Sequence, residues 1–253
     1  MVRTAYRMPL RQAEGLMASV FRLMNISLAV PDHTTVSRRA AVLPPLPCIP
    51  SEGDLHILID STGLKVYGAG QWLEEKHGAR ARRDWRKLHL AVDADNFSIV
   101  AHTLTDSQSD DPSQVGPLLS QTDGNIVQVT ADRAYDGRPT YHTIAGHGEG
   151  VTVAIPPRAT AVAEETTGPP CQRDRHLAMI QEKGRLFWQK TVGYGKRALV
   201  ETMMACWKAL IGPRLRARSF AGQKTEVAIG VAVLNRLLSV ARPYSVRKQV
   251  RSA

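Results

Sequence analysis

Three successive apolar runs constrain this chain more than any other feature: Leu55 to Asp60, Lys87 to Asp93 and Ser98 to Leu104. Each is short and either apolar throughout or alternating, the pattern of a β-strand with one or both faces buried. Three strands in a row predict a meander. The pattern then changes. Asp111 to Gln121 reads as a helix, Ile126 to Ala131 as a short strand closing at Asp132, the segment near Tyr141 as a helix, and Val151 to Ile155 as a further strand. A polar, proline-bearing region, 158–190, is predicted as an insertion ahead of a helix from about Lys196 to Leu210. A basic turn then leads to a last helix, Thr225 to Val240.

This order predicts an α/β chain with a mixed sheet and flanking helices, the arrangement of a ribonuclease H-like fold. A small helical segment precedes it. Leu10, Ala13, Met17, Val20, Phe21 and Met24 recur at helical spacing, and Asp32 after Pro31 is placed to cap a second helix carrying Thr34, Thr35, Ser37, Arg38 and Arg39. Two short helices around a turn fit a helix-turn-helix docking on DNA, and equally a packing subdomain with solvated arginines. The proline-rich stretch after Ala41 has no helical period and reads as a connector. The predicted organisation is a helical segment over 1–42, a linker over 43–54, the main α/β domain over 55–241 and a basic tail over 242–253.

The 253 residues carry 33 Lys and Arg against 23 Asp and Glu, a net charge of +10, which implies an anionic partner. A membrane span is excluded as the reason, since the longest apolar stretch, Val227 to Val240, is interrupted by Asn235 and Arg236. The amino terminus lacks the apolar run and cleavage site of a secretory signal, so a cytoplasmic, nucleoid-associated protein is expected. Lys76, Arg80, Arg82, Arg83, Arg86 and Lys87 form the densest basic run, fitted to rest on a DNA backbone or simply to be solvated. Arg214, Arg216, Arg218 and Lys224 add a second patch. Cys48, Cys171 and Cys206 form no zinc-ligand spacing, and the eight histidines show no HExxH pattern.

Candidate chemistry rests on carboxylates. Asp60 closes the first apolar run and is followed by Ser61-Thr62-Gly63, read as a turn that aims the carboxylate into a crevice at the strand end. Asp132 repeats the arrangement after Val127 to Ala131, although an aspartate there often just caps the next turn. Tyr194, Arg197, Glu201 and Lys208 fall on one face of an ideal helix, with Ala198, Leu199, Met203, Met204, Ala205, Trp207 and Leu210 supplying the buried side. Pairing of Arg197 with Glu201 on a solvated face is the bland alternative, and leaves the tyrosine and lysine unexplained. Three carboxylates suit phosphodiester cleavage, because two magnesium ions held by oxygen ligands stabilise both attacking and leaving oxygens. Arg197 and Lys208 would then hold phosphates. Asp136 is the best rival to Asp132. Asp93, Asp95, Asp106, Asp110 and Asp111 rank below, the last two as helix caps.

The series Tyr194, two residues, Arg197, three residues, Glu201, six residues, Lys208 resembles the signature around the third acid of a large group of bacterial insertion-sequence transposases of the DDE type. Ile59-Asp60-Ser61-Thr62-Gly63-Leu64-Lys65 and Ala131-Asp132-Arg133-Ala134-Tyr135-Asp136 resemble the regions around that group's first and second acids. The similarity extends to Trp85 to Leu90, Ile155 to Arg158 and Leu234-Asn235-Arg236. It implies Asp60, Asp132 and Glu201 as catalytic, metal-binding residues, with Tyr194, Arg197 and Lys208 supporting them or binding phosphate, while Arg82, Arg83, Arg86 and Lys87 are expected from their charge to contact DNA backbone. It also implies two Mg2+ ions, with Mn2+ able to substitute. The expected partners are double-stranded DNA, as terminal inverted repeats and target, and further copies of the chain on that DNA. The expected reaction is cleavage and strand transfer at those repeats. Members of the group carry a further amino-terminal stretch, so the chain is expected to be shortened, and an inactive DNA-binding remnant is the alternative. A nuclease of the same fold that cuts without joining is a third reading.

Overall fold

The computed structural model describes residues 1–40, 53–66, 85–163 and 171–241. Strands β1 (Asp54–Val66), β2 (Trp85–Asp93) and β3 (Ile99–Asp106) form the expected antiparallel meander. Strands β4 (Asn125–Ala131) and β5 (Thr152–Ala154) add to the other edge of β1 in parallel, giving the order β3-β2-β1-β4-β5. A two-residue strand, β6 (Arg214–Leu215), pairs with the far end of β1. The central strand β1 is buried on both faces from Leu55 to Ile59, which is why its sequence reads as a nearly unbroken apolar run.

Alternation along β1 sorts its side chains into two cores. Leu55, Ile57 and Ile59 join one cluster with Val115, Leu118 and Leu119 of α4 (Val115–Leu119) and Tyr141 and Ile144 of α5 (Arg138–Ala145), which crosses over from β4 to β5. Leu58 and Leu64 join the other, with Val200, Met203, Met204 and Trp207 of the late helical segment and Val227, Val231 and Leu234 of the last helix. Helices thus cover both faces of a mixed sheet, the ribonuclease H-like arrangement expected from the sequence.

At the amino end, α1 (Val2–Ala5), α2 (Leu10–Leu23) and α3 (His33–Ala40) precede the sheet. Asp32 caps α3 through the Thr34 N–H at 2.5 Å, and His33 donates its backbone N–H to Glu14 of α2 at 3.1 Å. This helical segment is fastened to the rest of the chain. The Arg7 guanidinium donates to the Leu210 carbonyl, and Arg216 donates back to the Arg7 carbonyl, each at 2.9 Å.

Four details differ from the sequence reading or add to it. Ser61-Thr62-Gly63 does not turn the chain: β1 continues to Val66, paired with β2 from Asp60↔Leu90 to Lys65↔Trp85. Gly63 serves the neighbouring strand, since a Cβ there would lie 3.2 Å from the Trp85 ring. The 158–190 region contains two helices, α6 (Gln172–Lys183) and α7 (Arg185–Thr191). The helix from Lys196 to Leu210 is a composite: a 3₁₀ turn over Tyr194–Arg197, α8 (Ala198–Cys206) and a π-helical turn over Trp207–Ile211. The last helix, α9 (Phe220–Val240), begins five residues earlier than read, where Ser219 caps it through the Gly222 N–H. Among the described residues no helix is long and apolar enough to cross a membrane.

Candidate active site

Strand register brings the first two acids together. Parallel pairing of β1 with β4 ends at Ile59↔Ala131, so Asp60 and Asp132 follow side by side where β4 stops and β1 runs on. The step left in the sheet is a crevice at the carboxyl end of parallel strands, where such sheets place ligands. Asp60 shares the parity of Leu58 and so faces the core covered by α8. Its Oδ1 accepts the Ser61 N–H at 2.8 Å. Asp132 does cap the next turn, its Oδ1 accepting the Ala134 N–H at 2.8 Å. Its Oδ2 is left for another partner.

That partner comes from the segment before α8. Gly193 adopts φ +67°, a left-handed conformation that glycine takes at no steric cost, and the 3₁₀ turn follows directly. Val200, Met203, Met204 and Trp207 bury against the sheet, which leaves Arg197 and Glu201 on the open side. Ala198, Ala205 and Leu210, expected on the buried side, are exposed: Ala198 and Ala205 share the open face of α8 with Glu201 and Thr202, and Leu210 lies in the π turn, where the ideal wheel no longer holds. The Arg197 guanidinium meets all three acids: Nη2 is 3.6 Å from Asp60 Oδ2 and 3.8 Å from Asp132 Oδ2, while Nη1 donates to Glu201 Oε1.

The electrostatics follow from this crowding. Burial pushes the Asp60 carboxyl above its usual range; the Ser61 N–H and Arg197 oppose that, and the charges of Asp132 and Glu201 add to it. Burial works against the charge of Arg197, but the Glu201 hydrogen bond and the fields of Tyr194 and Asp60 outweigh it and hold its pKa above the ordinary value. Burial also raises the Tyr194 phenol, whose ring packs at 5.5 Å against the buried Trp188 of α7.

Two open clefts meet at this point. One, of about 670 Å³, is lined by Asp132, Arg133, Arg158, Arg185, Gln189, Tyr194 and Arg197 among others. The second, of about 590 Å³, shares Gln189, Tyr194 and Arg197 and reaches Glu201 and Lys190.

Lys208 lies in the π turn, is exposed and lines neither cleft. Arg86 and Lys87, as strand neighbours, point to opposite faces. Arg86 donates to Gln223 of α9 and packs on Phe220, and Lys87 binds Asp111 at 3.1 Å and the Ser109 carbonyl at 2.8 Å. Arg82 and Arg83 lie outside the described residues, as do Lys76, Arg80, Cys48 and the 242–253 tail. Asp136 is fully engaged elsewhere: its carboxylate accepts Arg173 Nε at 2.7 Å, Arg173 Nη2 at 3.1 Å and the Arg158 N–H at 2.9 Å. Asp106 accepts the N–H groups of Gln108 and Ser109, Asp93 that of Asp95, and Asp95 pairs with Lys196. Asp111 starts the 3₁₀ turn Pro112–Gln114 without a side-chain cap bond. Glu14, Asp32 and His33 form a separate cluster in which three ligand atoms lie within 4.8 Å, but there they join α2 to the start of α3.

Arg133, Arg158 and Arg185 were not singled out from the sequence as site residues. A signal existed for the first two, since each follows a parallel strand at its carboxyl end, the region the strand-end rule marks.

The family model described as transposase DDE domain matches residues 51–236, a span that includes Asp60, Asp132 and Glu201. The chain belongs to the transposase DDE domain family. A second model of the same description matches residues 1–69, running from the helical segment through the connector into β1. Among solved structures, the piggyBac transposase in a synaptic complex with hairpin DNA is similar at 11% identity and a TM-score of 0.41. The alignment covers 75% of this chain and 47% of that one, so this transposase DDE chain matches about half the length of that relative. The chemistry of the family is the cutting and transfer of phosphodiesters with a divalent metal.

Proposed function

We propose that this chain cuts and rejoins DNA at the terminal inverted repeats of an insertion sequence, with Asp60, Asp132 and Glu201 as its metal-binding, catalytic carboxylates. The observation that carries the reading is the single Arg197 guanidinium set against all three acids. A cation already draws together carboxylates from two strands and a helix. The donor set is oxygen only, which suits magnesium, and burial of Asp60 makes a compensating positive charge favourable. Asp60, Asp132 and Glu201 would hold two Mg2+ ions, for which Mn2+ would substitute, and such ions activate a water and offset charge on the leaving oxygen.

In the first reaction water attacks phosphorus, one P–O bond forms and another breaks, and a strand end with a free hydroxyl leaves. In the second, that hydroxyl attacks a target phosphodiester and displaces a target hydroxyl, so no net oxidation or reduction occurs. Arg197 is positioned to exchange carboxylates for a phosphate oxygen, a partner its planar fork also fits. Tyr194, on its Trp188 support, offers a ring face beside it. Lys208, exposed in the π turn, would contact DNA backbone away from the two clefts, Arg86 and Lys87 would do so only by giving up their partners, and Arg82 and Arg83 would add to that contact.

The 1–42 segment, with Ser37, Arg38 and Arg39 exposed on α3, is read as a DNA-contacting helical pair ahead of a catalytic domain over 55–241. Several copies would assemble on the two ends of the element, in the cytoplasm on nucleoid DNA. The test is cleavage and joining of a labelled duplex carrying the repeats that flank the gene, with Mg2+, by the wild-type chain and Glu201→Gln. Products that vanish in the variant support the reading. Nicks without joined strands mean a nuclease, and binding without products means an inactive remnant.

A further inference from the structure

We propose that the cleft beside Asp132 is a backbone-binding track, in which Arg133, Arg158 and Arg185 hold successive phosphates of one DNA strand leaving the acids. This rests on the reading of the site as a DNA-cutting centre. Three guanidiniums line one open cleft of about 670 Å³, and among the described residues none of them pairs with a carboxylate. Uncompensated like charge of this density is a cost to the free chain that an anion removes.

Two of the three are held in place by backbone. Arg158 Nη2 donates to the Ala134 carbonyl at 2.8 Å, and Arg185 Nη2 donates to the Pro157 carbonyl at 3.2 Å. Each such bond uses one of five N–H donors and fixes the plane of the fork, leaving the others for phosphate oxygens. The arginines come from three places, after β4, after β5 and at the start of α7, so the fold gathers them where no run of sequence does.

The shape selects a polymer over a small anion. The cleft joins the 590 Å³ cleft through Gln189, Tyr194 and Arg197, so the open surface runs on from Asp132 to Glu201 and Lys190. A small anion would need only one of these positions. The Tyr194 ring at the junction supplies a surface for a base, since aromatic faces stack on any base.

The test is binding of a fluorescent duplex by anisotropy over a series of KCl concentrations with EDTA present, so that nothing is cut. Three chains are compared: wild type, Arg133→Gln/Arg158→Gln/Arg185→Gln, and a charge-matched control, Arg175→Gln/Lys183→Gln/Arg236→Gln, in exposed residues off the cleft. Each phosphate contact contributes about −0.9 to the slope of log K against log salt, so the cleft variant should lose about 2 to 3 from the slope. Its affinity near ~0.1 M salt should fall more than about tenfold, and the control should keep the wild-type slope. Arg133→Gln alone, at an exposed side chain, should reduce the slope by about 0.9 and covers the case in which the triple variant folds poorly. A cleft variant of normal melting temperature with the wild-type slope overturns the track while leaving DNA binding intact. A wild-type chain that binds no duplex overturns the track together with the reading beneath it.

Discussion

Replacing Asp136 by alanine tests whether this acid, four residues after Asp132, holds the fold or binds the metal. The Asp136 side chain is fully buried and accepts three N–H groups, two from Arg173 and one from the Arg158 backbone. Truncating it strands the Arg173 guanidinium, whose side chain is only 11% exposed. Removing one partner of a buried pair costs about 3–5 kcal/mol, mostly because the other charge stays behind uncompensated. For a chain of this size about 1 kcal/mol corresponds to roughly 2–4 °C, so the melting temperature should fall by about 6–20 °C. Circular dichroism on heating measures the shift, and Asp136→Leu/Arg173→Met should recover much of it, since apolar residues of similar volume often replace such pairs without loss. An Asp136→Ala chain as stable as wild type but weaker in Mg2+ binding would refute the structural role and make Asp136 a metal ligand.

Four further outcomes follow. Burial depresses His56 and His176 to about 4 from the ordinary 6.5, so the unfolded chain takes up protons first as pH falls. Their contribution to stability is therefore complete above pH 6.5 and lost on descending toward about 4; urea midpoints across that window should drop, and a flat profile would contradict the assignment. Gly230→Ala should destabilise by about 1–3 kcal/mol in urea unfolding, because the new Cβ would lie 2.5 Å from the buried Trp207 ring. Asn235→Ala should cost about 2 kcal/mol or more by the same measurement, since Asn235 accepts the Ile99 N–H at 2.9 Å and donates to the Ile99 carbonyl at 2.8 Å. Mg2+ should raise the melting temperature of the wild-type chain and leave Asp60→Asn nearly unmoved, because a ligand that binds only the folded state stabilises it in proportion to its affinity.

The meander and the two parallel strands were legible because apolar residues report burial directly, and β1 shows it on both faces. Asp60 and Asp132 were both read as strand ends, but only Asp132 follows one, and their adjacency depends on register, which no local pattern states. Helices α6 and α7 escaped because much of what they bury is polar. Arg173, Asp174 and His176 are buried, Arg138 reaches Asp174 at 3.2 Å, and Trp188 is the main apolar anchor. Helical wheels assume one pitch, so the passage from 3₁₀ to α to π over 194–211 hid where Lys208 would lie. Ser61-Thr62-Gly63 was misread because turn residues also suit a strand when a neighbour such as Trp85 needs the space.

The three-carboxylate metal site can be mapped by replacing Mg2+ with Fe2+ and letting ascorbate and peroxide generate radicals at the bound metal, which cut the protein chain nearby. Fragments should end close to Asp60, Asp132 and Glu201 together and be suppressed by excess Mg2+. Cuts confined to the neighbourhood of Glu14, Asp32 and His33, or absent from the segment around any one of Asp60, Asp132 and Glu201, would overturn the proposed metal site.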